Sequence, residues 1–161
     1  MSQLHAAVRL TIVRLTIASL ALALAAAWSA PSLGADAGRI KVSKGSVSIQ
    51  RDGKKLPAPV GAAIQQQDTV VTGADGTCGI TFQDNSMLSA GPNSVLTIDK
   101  YVFDRTTNKG EFESSLKQGT LAAVSGKMVK QSPESMRVKT PAAIMGVRGT
   151  EFVVRVTEPT R

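Results

Sequence analysis

Residues 46–54 read Ser46-Val47-Ser48-Ile49-Gln50-Arg51-Asp52-Gly53-Lys54, and this stretch decides the fold class. Val47 and Ile49 alternate with Ser46, Ser48 and Gln50, the period of two that marks a half-buried strand. The run then meets Asp52-Gly53. That dipeptide is favoured in two-residue hairpin turns, which need positive φ at both central positions, and glycine adopts positive φ at no steric cost.

The same grammar extends in both directions. Asp75-Gly76 recurs between Thr69–Thr72 and Thr77–Phe82, and in the second of these runs Cys78, Ile80 and Phe82 fall on one inward face. Asp84-Asn85-Ser86 reads as a further turn before Met87–Ala90, and Gly91-Pro92-Asn93-Ser94 punctuates the chain before Val95–Ile98. Asp99–Asp104 places Tyr101 and Phe103 on one face, and the polar turn Thr106–Gly110 leads to Glu111–Leu116 with Phe112 as inward anchor. Gly119–Val124, Met128–Lys130, Met136–Thr140 and Gly149–Val156 complete the strand-like pieces, while Pro57–Gln67 suits a short helix or loop. Nothing after the N-terminal segment keeps a helical period over a long window. The expectation is an all-β domain of many short strands, either a curled β-sandwich or a β-helical roll. Gly45-Ser46-Val47 followed by Val70-Val71-Thr72 parallels Gly119-Thr120-Leu121 followed by Val138-Lys139-Thr140, a weak sign of two similar β layers.

The N-terminus has a different character. Arg9 and Arg14 precede an apolar run from Ile17 to Ala27, after which Trp28, Pro31 and Gly34 break any helix. This is the layout of a secretory signal peptide, assigned to residues 1–37, with Ala35-Asp36-Ala37 and Ser32-Leu33-Gly34 as candidate cleavage motifs. The apolar run falls short of the ~20 residues of a spanning helix. No lipobox cysteine follows it, because Cys78 is the only cysteine. Residues 38–161 form one domain, and after cleavage no transmembrane segment is expected. The periplasm or the exterior is the expected location. A single cysteine makes no internal disulfide, so the core alone must hold the fold, and Cys78 sits in an apolar alternation as a small buried side chain.

Charge and composition narrow the function. The chain carries a net charge of +7, and the residues beyond the first 35 keep 17 basic against 12 acidic groups. The basic groups are scattered rather than clustered, so a solvated mixed-charge surface is the ordinary reading and contact with an anionic envelope polymer is the alternative. His5 is the only histidine and lies in the signal segment. That removes histidine triads, a histidine general base and the usual zinc ligand sets. Neither GxGxxG nor GxxxxGK[ST] occurs. Paired acids such as Asp99 with Asp104, or Glu111 with Glu113, are more simply outward-facing carboxylates than a glycosidase pair. Asp75, Asp84 and Asp99 lack the ligand density of a calcium loop. Few aromatics and no interleaved basic clusters leave no platform for nucleic acid. The chain reads as a non-enzyme that needs no cofactor and no metal.

Four passages together resemble the FecR domain family of bacterial envelope proteins. They are Gly45-Ser46-Val47 with Arg51-Asp52-Gly53; Gln67 through Gly76; Phe82 through Ser86 running on to Gly91–Ser94; and Thr140-Pro141-Ala142-Ala143-Ile144-Met145-Gly146-Val147-Arg148-Gly149-Thr150-Glu151-Phe152. The last is the most specific. The resemblance implies an extracytoplasmic, all-β, non-enzymatic domain acting in signal transduction across the cell envelope. In well-understood members it lies beyond a membrane helix and a cytoplasmic segment that controls a sigma factor, and it senses the signalling domain of an outer-membrane transporter. Here the N-terminus reads as a signal peptide instead, so a stand-alone exported member is expected. The function expected on this basis is an interaction or sensing module that binds an envelope protein partner; the alternative is a domain that binds cell-wall polysaccharide or peptidoglycan.

Within the last passage, Thr140, Pro141, Arg148, Gly149 and Thr150 are the candidate partner-binding residues. Pro141 cannot donate to a ladder, so Thr140-Pro141 should end one strand and begin a tight connection. Gly146 and Gly149 permit positive φ or close approach. Arg148 is either a recognition group able to bind an anion with two parallel bonds or a corner residue held by Glu151 or buried carbonyls.

Overall fold

The structure is a computed structural model that describes residues 36–147, 149 and 151–157. Twelve strands account for most of it: β1 (Asp36–Lys44), β2 (Val47–Arg51), β3 (Lys54–Pro57), β4 (Ala63–Gln65), β5 (Thr69–Thr72), β6 (Thr77–Phe82), β7 (Met87–Ala90), β8 (Val95–Phe103), β9 (Gly110–Val124), β10 (Met136–Lys139), β11 (Ile144–Gly146) and β12 (Glu151–Val156). One short helix, α1 (Lys127–Gln131), and a 3₁₀ turn (Pro133–Ser135) lie between β9 and β10.

The strands form two layers that share β9. In one, β4, β1, β6 and β7 lead to the C-terminal half of β9, and β12 pairs with the far side of that half. In the other, β3, β2, β5 and β8 lead to the N-terminal half of β9, which β10 joins in parallel and β11 extends. The all-β expectation holds, and the architecture is a single sheet curled into a half-barrel with two facing layers. The two similar sequence runs do not occupy equivalent pairings, however. β2 pairs antiparallel with β5, whereas the C-terminal half of β9 pairs with β12, and β10 runs parallel to the other half.

Period-two patterning fills the space between the layers. Cys78, Ile80 and Phe82 are buried along β6, as their alternation predicts, and Leu96, Ile98, Phe112, Leu116 and Val138 face them from the other layer. Phe82, Tyr101 and Phe112 form the aromatic centre, with ring centroids 4.5 to 5.2 Å apart. Tyr101 reaches its polar end to a buried knot. Its hydroxyl donates to Asp84 Oδ1 at 3.1 Å and accepts the Asp84 N–H at 3.0 Å, while Ser86 Oγ donates to Asp84 Oδ2 at 2.6 Å.

Four of the passages between the layers, at Gly45, Gly73–Gly76, Gly91–Ser94 and Gly119, meet along one seam. These corners stack on one another. Gly73 donates to Ser46 O at 2.8 Å, Asn93 donates to Gly73 O at 3.0 Å, and Gly91 donates to Thr120 O at 2.9 Å. The seam draws on Gly45, Gly73, Gly76, Gly91 and Gly119 together with Asp75 and Asn93.

Two local expectations are corrected. Asp52-Gly53 makes the expected hairpin, with φ of 50° and 73°, but Asp75-Gly76 does not. β5 and β6 lie in different layers, neither Asp75 nor Gly76 has positive φ, and Gly76 is required because a Cβ there would fall 2.3 Å from Ser46 O. Met128–Lys130 is helical rather than extended, since a run this short carries no usable period; Met128 and Val129 both turn into the core. Pro57–Gln67, expected as a short helix or loop, is loop and turn except for the three-residue strand β4.

Candidate functional site

β10 and its neighbours hold the Thr140 region in place through charge. Lys139 Nζ donates to Glu113 Oε2 at 2.7 Å and Arg137 Nη1 to Glu113 Oε1 at 3.3 Å, with Lys100 and Glu111 continuing the ladder across β8, β9 and β10. The hydrogen bond from Lys139, followed by the nearby positive charges, holds the Glu113 carboxyl below the usual range, and the same hydrogen bond raises Lys139. Glu111 and Glu113 therefore face outward as expected, but as ladder partners and not as free carboxylates.

At the end of β10 the chain turns tightly, as Pro141 requires. The Thr140 N–H donates to Ala143 O at 2.8 Å, and Thr140 Oγ1 both donates to Ala143 O at 3.0 Å and accepts the Ala143 N–H at 3.1 Å. Pro141 and Ala142 are left exposed at the tip. From there β11 returns antiparallel to β10.

Thr140 and Pro141 line a groove of about 590 Å3. Ala142 and Met145 continue that wall, Lys117 and Gln118 of β9 and Val154–Thr157 at the end of the chain's last strand close the others. The surface is largely apolar, and Lys117 and Arg155 are its two charged groups among the described residues. Neither forms an ion pair among the described residues. Among the described residues the lining offers shape, apolar area and positive charge.

Gly149 stands apart from this groove. It has φ of 114° and its carbonyl accepts a hydrogen bond from Ser125 Oγ at 2.7 Å, so a glycine is needed there for conformation. Gly146 has neither positive φ nor a close neighbour, so the expectation of a special backbone role there is not met. Arg148 and Thr150 lie outside the described residues. The structure thus brings two of the five candidate residues, Thr140 and Pro141, into one site and ties Gly149 to a backbone role.

Sequence reasoning missed Lys117, Gln118, Met145 and Val154–Val156. They reach the groove through long-range pairing of β9 with both β10 and β12. The alternation of Phe152, Val154 and Val156 with Glu151, Val153 and Arg155 was the signal available for the last strand.

A second cleft, of about 400 Å3, opens at the other edge of the same layer. Arg39, Lys41 and Arg105 converge there with Asp36, Gln83 and Asn85. Arg39 is paired with Asp36 at 3.1 Å, and Arg105 Nη2 donates to Gln83 Oε1 at 3.1 Å.

A family model described as FecR protein matches residues 68–160, from the start of β5 to beyond β12. No curated protein and no solved structure matches the chain.

Proposed function

The chain belongs to the FecR protein family, and from that premise we propose that it is a non-catalytic interaction or sensing module of the cell envelope, exported to the periplasm, that receives a protein partner in the groove beside Thr140 and Pro141. The observation that carries this reading is the groove itself. It joins contiguous apolar surface from Pro141, Ala142, Met145, Val154 and Val156 to two cations that have no ion-pair partner among the described residues. Apolar area with a few placed polar groups is what recognition sites are made of. The signal-like N-terminus and the absence of histidine beyond His5 point the same way.

Crosslinking of the protein in its native envelope, followed by capture, tests this reading. The groove variants are Lys117→Glu, which reverses a rim charge, and Ala142→Trp, which fills the groove from an exposed position. The wild type should capture one protein that both variants lose while keeping the wild-type melting temperature. Undiminished capture by both variants would remove the groove as the contact face.

A second reading has its own observation. The cleft at Arg39, Lys41 and Arg105 gathers three cations against one carboxylate, which suits an anionic cell-wall polymer. Co-sedimentation with purified cell wall should then weaken for Lys41→Glu and Arg105→Glu. No pelleting of the wild type would end this alternative.

A further inference from the structure

An edge strand presents a row of unpaired N–H and C=O groups, and natural sheets blunt such edges with short strands, lysines or prolines. Four strands of this fold pair on one side only among the described residues. β3 carries Lys54, Lys55 and Pro57, while β4 and β11 are three residues long. β12 has six residues, with no proline, glycine or lysine, and its ladder to β9 is regular from Glu151 to Val156. Among the described residues β12 is the longest strand left open along its whole length, and Glu151 and Arg155 are its only charged groups.

We propose that β12 pairs antiparallel with β12 of a second copy of this chain, about a two-fold axis through Val153. Antiparallel ladders match residues whose backbone groups point the same way, so only registers differing by two residues are available, and the facing side chains share one side of the sheet. In the register centred on Val153, Glu151 faces Arg155 of the second copy and Arg155 faces its Glu151. Phe152 faces Val154 on the inner side. The neighbouring registers place Val153 opposite Glu151 or opposite Arg155 and lose both charge pairs.

The side chains are presented as this register requires. Glu151, Val153 and Arg155 are exposed along the outer face, Val153 at 65%, while Phe152, Val154 and Val156 are half-buried below. Neither Glu151 nor Arg155 has an ion-pair partner among the described residues. Arg155 bonds through Nε to Thr120 Oγ1 of β9 at 3.2 Å, so in the pairing its guanidinium turns from β9 to the open edge to meet Glu151 of the second copy. On β9 the residue beside Val153 is Ala122, which leaves Val153 standing clear of its neighbour. A self-complementary charge pattern about an exposed apolar residue is the signature of an isologous interface. Arg155 is also a groove cation, so Arg155→Glu bears on both readings, whereas Glu151 and Val153 lie outside the groove lining and their variants test the pairing alone.

Charge exchange tests the register. Analytical ultracentrifugation of the purified protein should give twice the chain mass for the wild type and a single chain mass for Glu151→Arg and for Arg155→Glu, each of which sets like charges face to face. An equal mixture of the two variants should return to twice the chain mass, because each then faces its opposite. As a check that does not depend on charge variants folding, Val153→Cys should form a disulfide-linked dimer on mild oxidation. Facing strand residues lie about 4.5–5.5 Å apart at Cα, within the span of a disulfide, and the control Met87→Cys should not crosslink. A wild type that stays at single mass at every concentration, charge variants that dimerise as the wild type does, or no Val153→Cys crosslink would each overturn the pairing.

Discussion

Asp68 is fully buried, and its charge is met by a side chain 17 positions earlier. Arg51 grips it with both ends of the guanidinium, Nε to Oδ1 at 2.7 Å and Nη2 to Oδ2 at 2.6 Å, while the Gln65 N–H donates to Oδ2 at 2.7 Å. The same guanidinium donates to Ala63 O, so one side chain ties β2 to β4 and to the turn before β5. Removing one partner of such a pair leaves a buried charge unmet. Arg51→Met should therefore cost about 3 kcal/mol, the lower end of the usual range because the Gln65 bond persists, and urea denaturation would measure it. A loss near zero would mean that water reaches Asp68 once the arginine is gone. Cys78 makes the opposite case, a group kept neutral by its surroundings. Burial pushes its thiol from 9.0 to about 11. A raised pKa on an acid means the fold disfavours the thiolate, so this residue weakens the fold only as pH rises past 9.0, where the unfolded chain ionises first. At neutral pH a thiol reagent should label Cys78 only at the rate of unfolding; rapid labelling of the native protein would contradict its burial. The buried role of Cys78 was legible in its apolar alternation. The role of Asp68 was not, because its partner is named by tertiary contact and by nothing in the local pattern.

At the scale of elements, turn chemistry was easier to read than the connections it makes. Asp52-Gly53 and Asp75-Gly76 are the same dipeptide, yet the first joins neighbours in one layer and the second carries the chain from one layer to the other. The difference lies in what surrounds them: Gly76 packs under Ser46 O, a contact no local pattern reports. The bend in β9 teaches the same lesson. Gly119–Val124 and Glu111–Leu116 read as separate strands but form one 15-residue strand, Gly110–Val124, that crosses between the layers at Gly119. Gly119 has φ of 93°, and an added Cβ would lie 2.2 Å from Ser94 Oγ and 2.5 Å from Ser94 Cα. Ser94 cannot step aside, because its hydroxyl accepts the Thr120 N–H at 3.0 Å and its own N–H donates to Thr72 Oγ1 at 2.8 Å. Gly119→Ala therefore meets backbone strain of about 1–3 kcal/mol and a clash with a fixed corner. It should destabilise the protein more than Gly53→Ala, whose Cβ would meet nothing. Thermal melts of the two variants make the comparison, and equal losses would show that the corner seam yields.

For the molecule as a whole, the proposal of export raises the question of where the processed chain would begin. Small-residue motifs allow cleavage after Gly34 or after Ala37, and local sequence does not choose between them. The fold does distinguish them. β1 starts at Asp36, which pairs with Gln65, and Ala37 is buried. The Asp36 carbonyl accepts a bond from the Gln83 side chain, the Ala37 carbonyl accepts the Gln83 N–H at 3.2 Å, and the Asp36 carboxylate pairs with Arg39. Cleavage after Ala37 would delete all three contacts and a buried side chain from the strand on which β4 and β6 both depend. Cleavage after Gly34 would leave β1 whole. Signal processing precedes folding, so the peptidase reads the local motif, but a chain cut at Ala37 would fold without its first ladder rungs and would be the form cleared by envelope proteases. We therefore propose that the stable exported protein begins at Ala35. Intact-mass measurement of the protein recovered from the envelope should show that terminus, and recovery mainly of chains starting at Gly38 would show that the fold does not need the first rungs of β1.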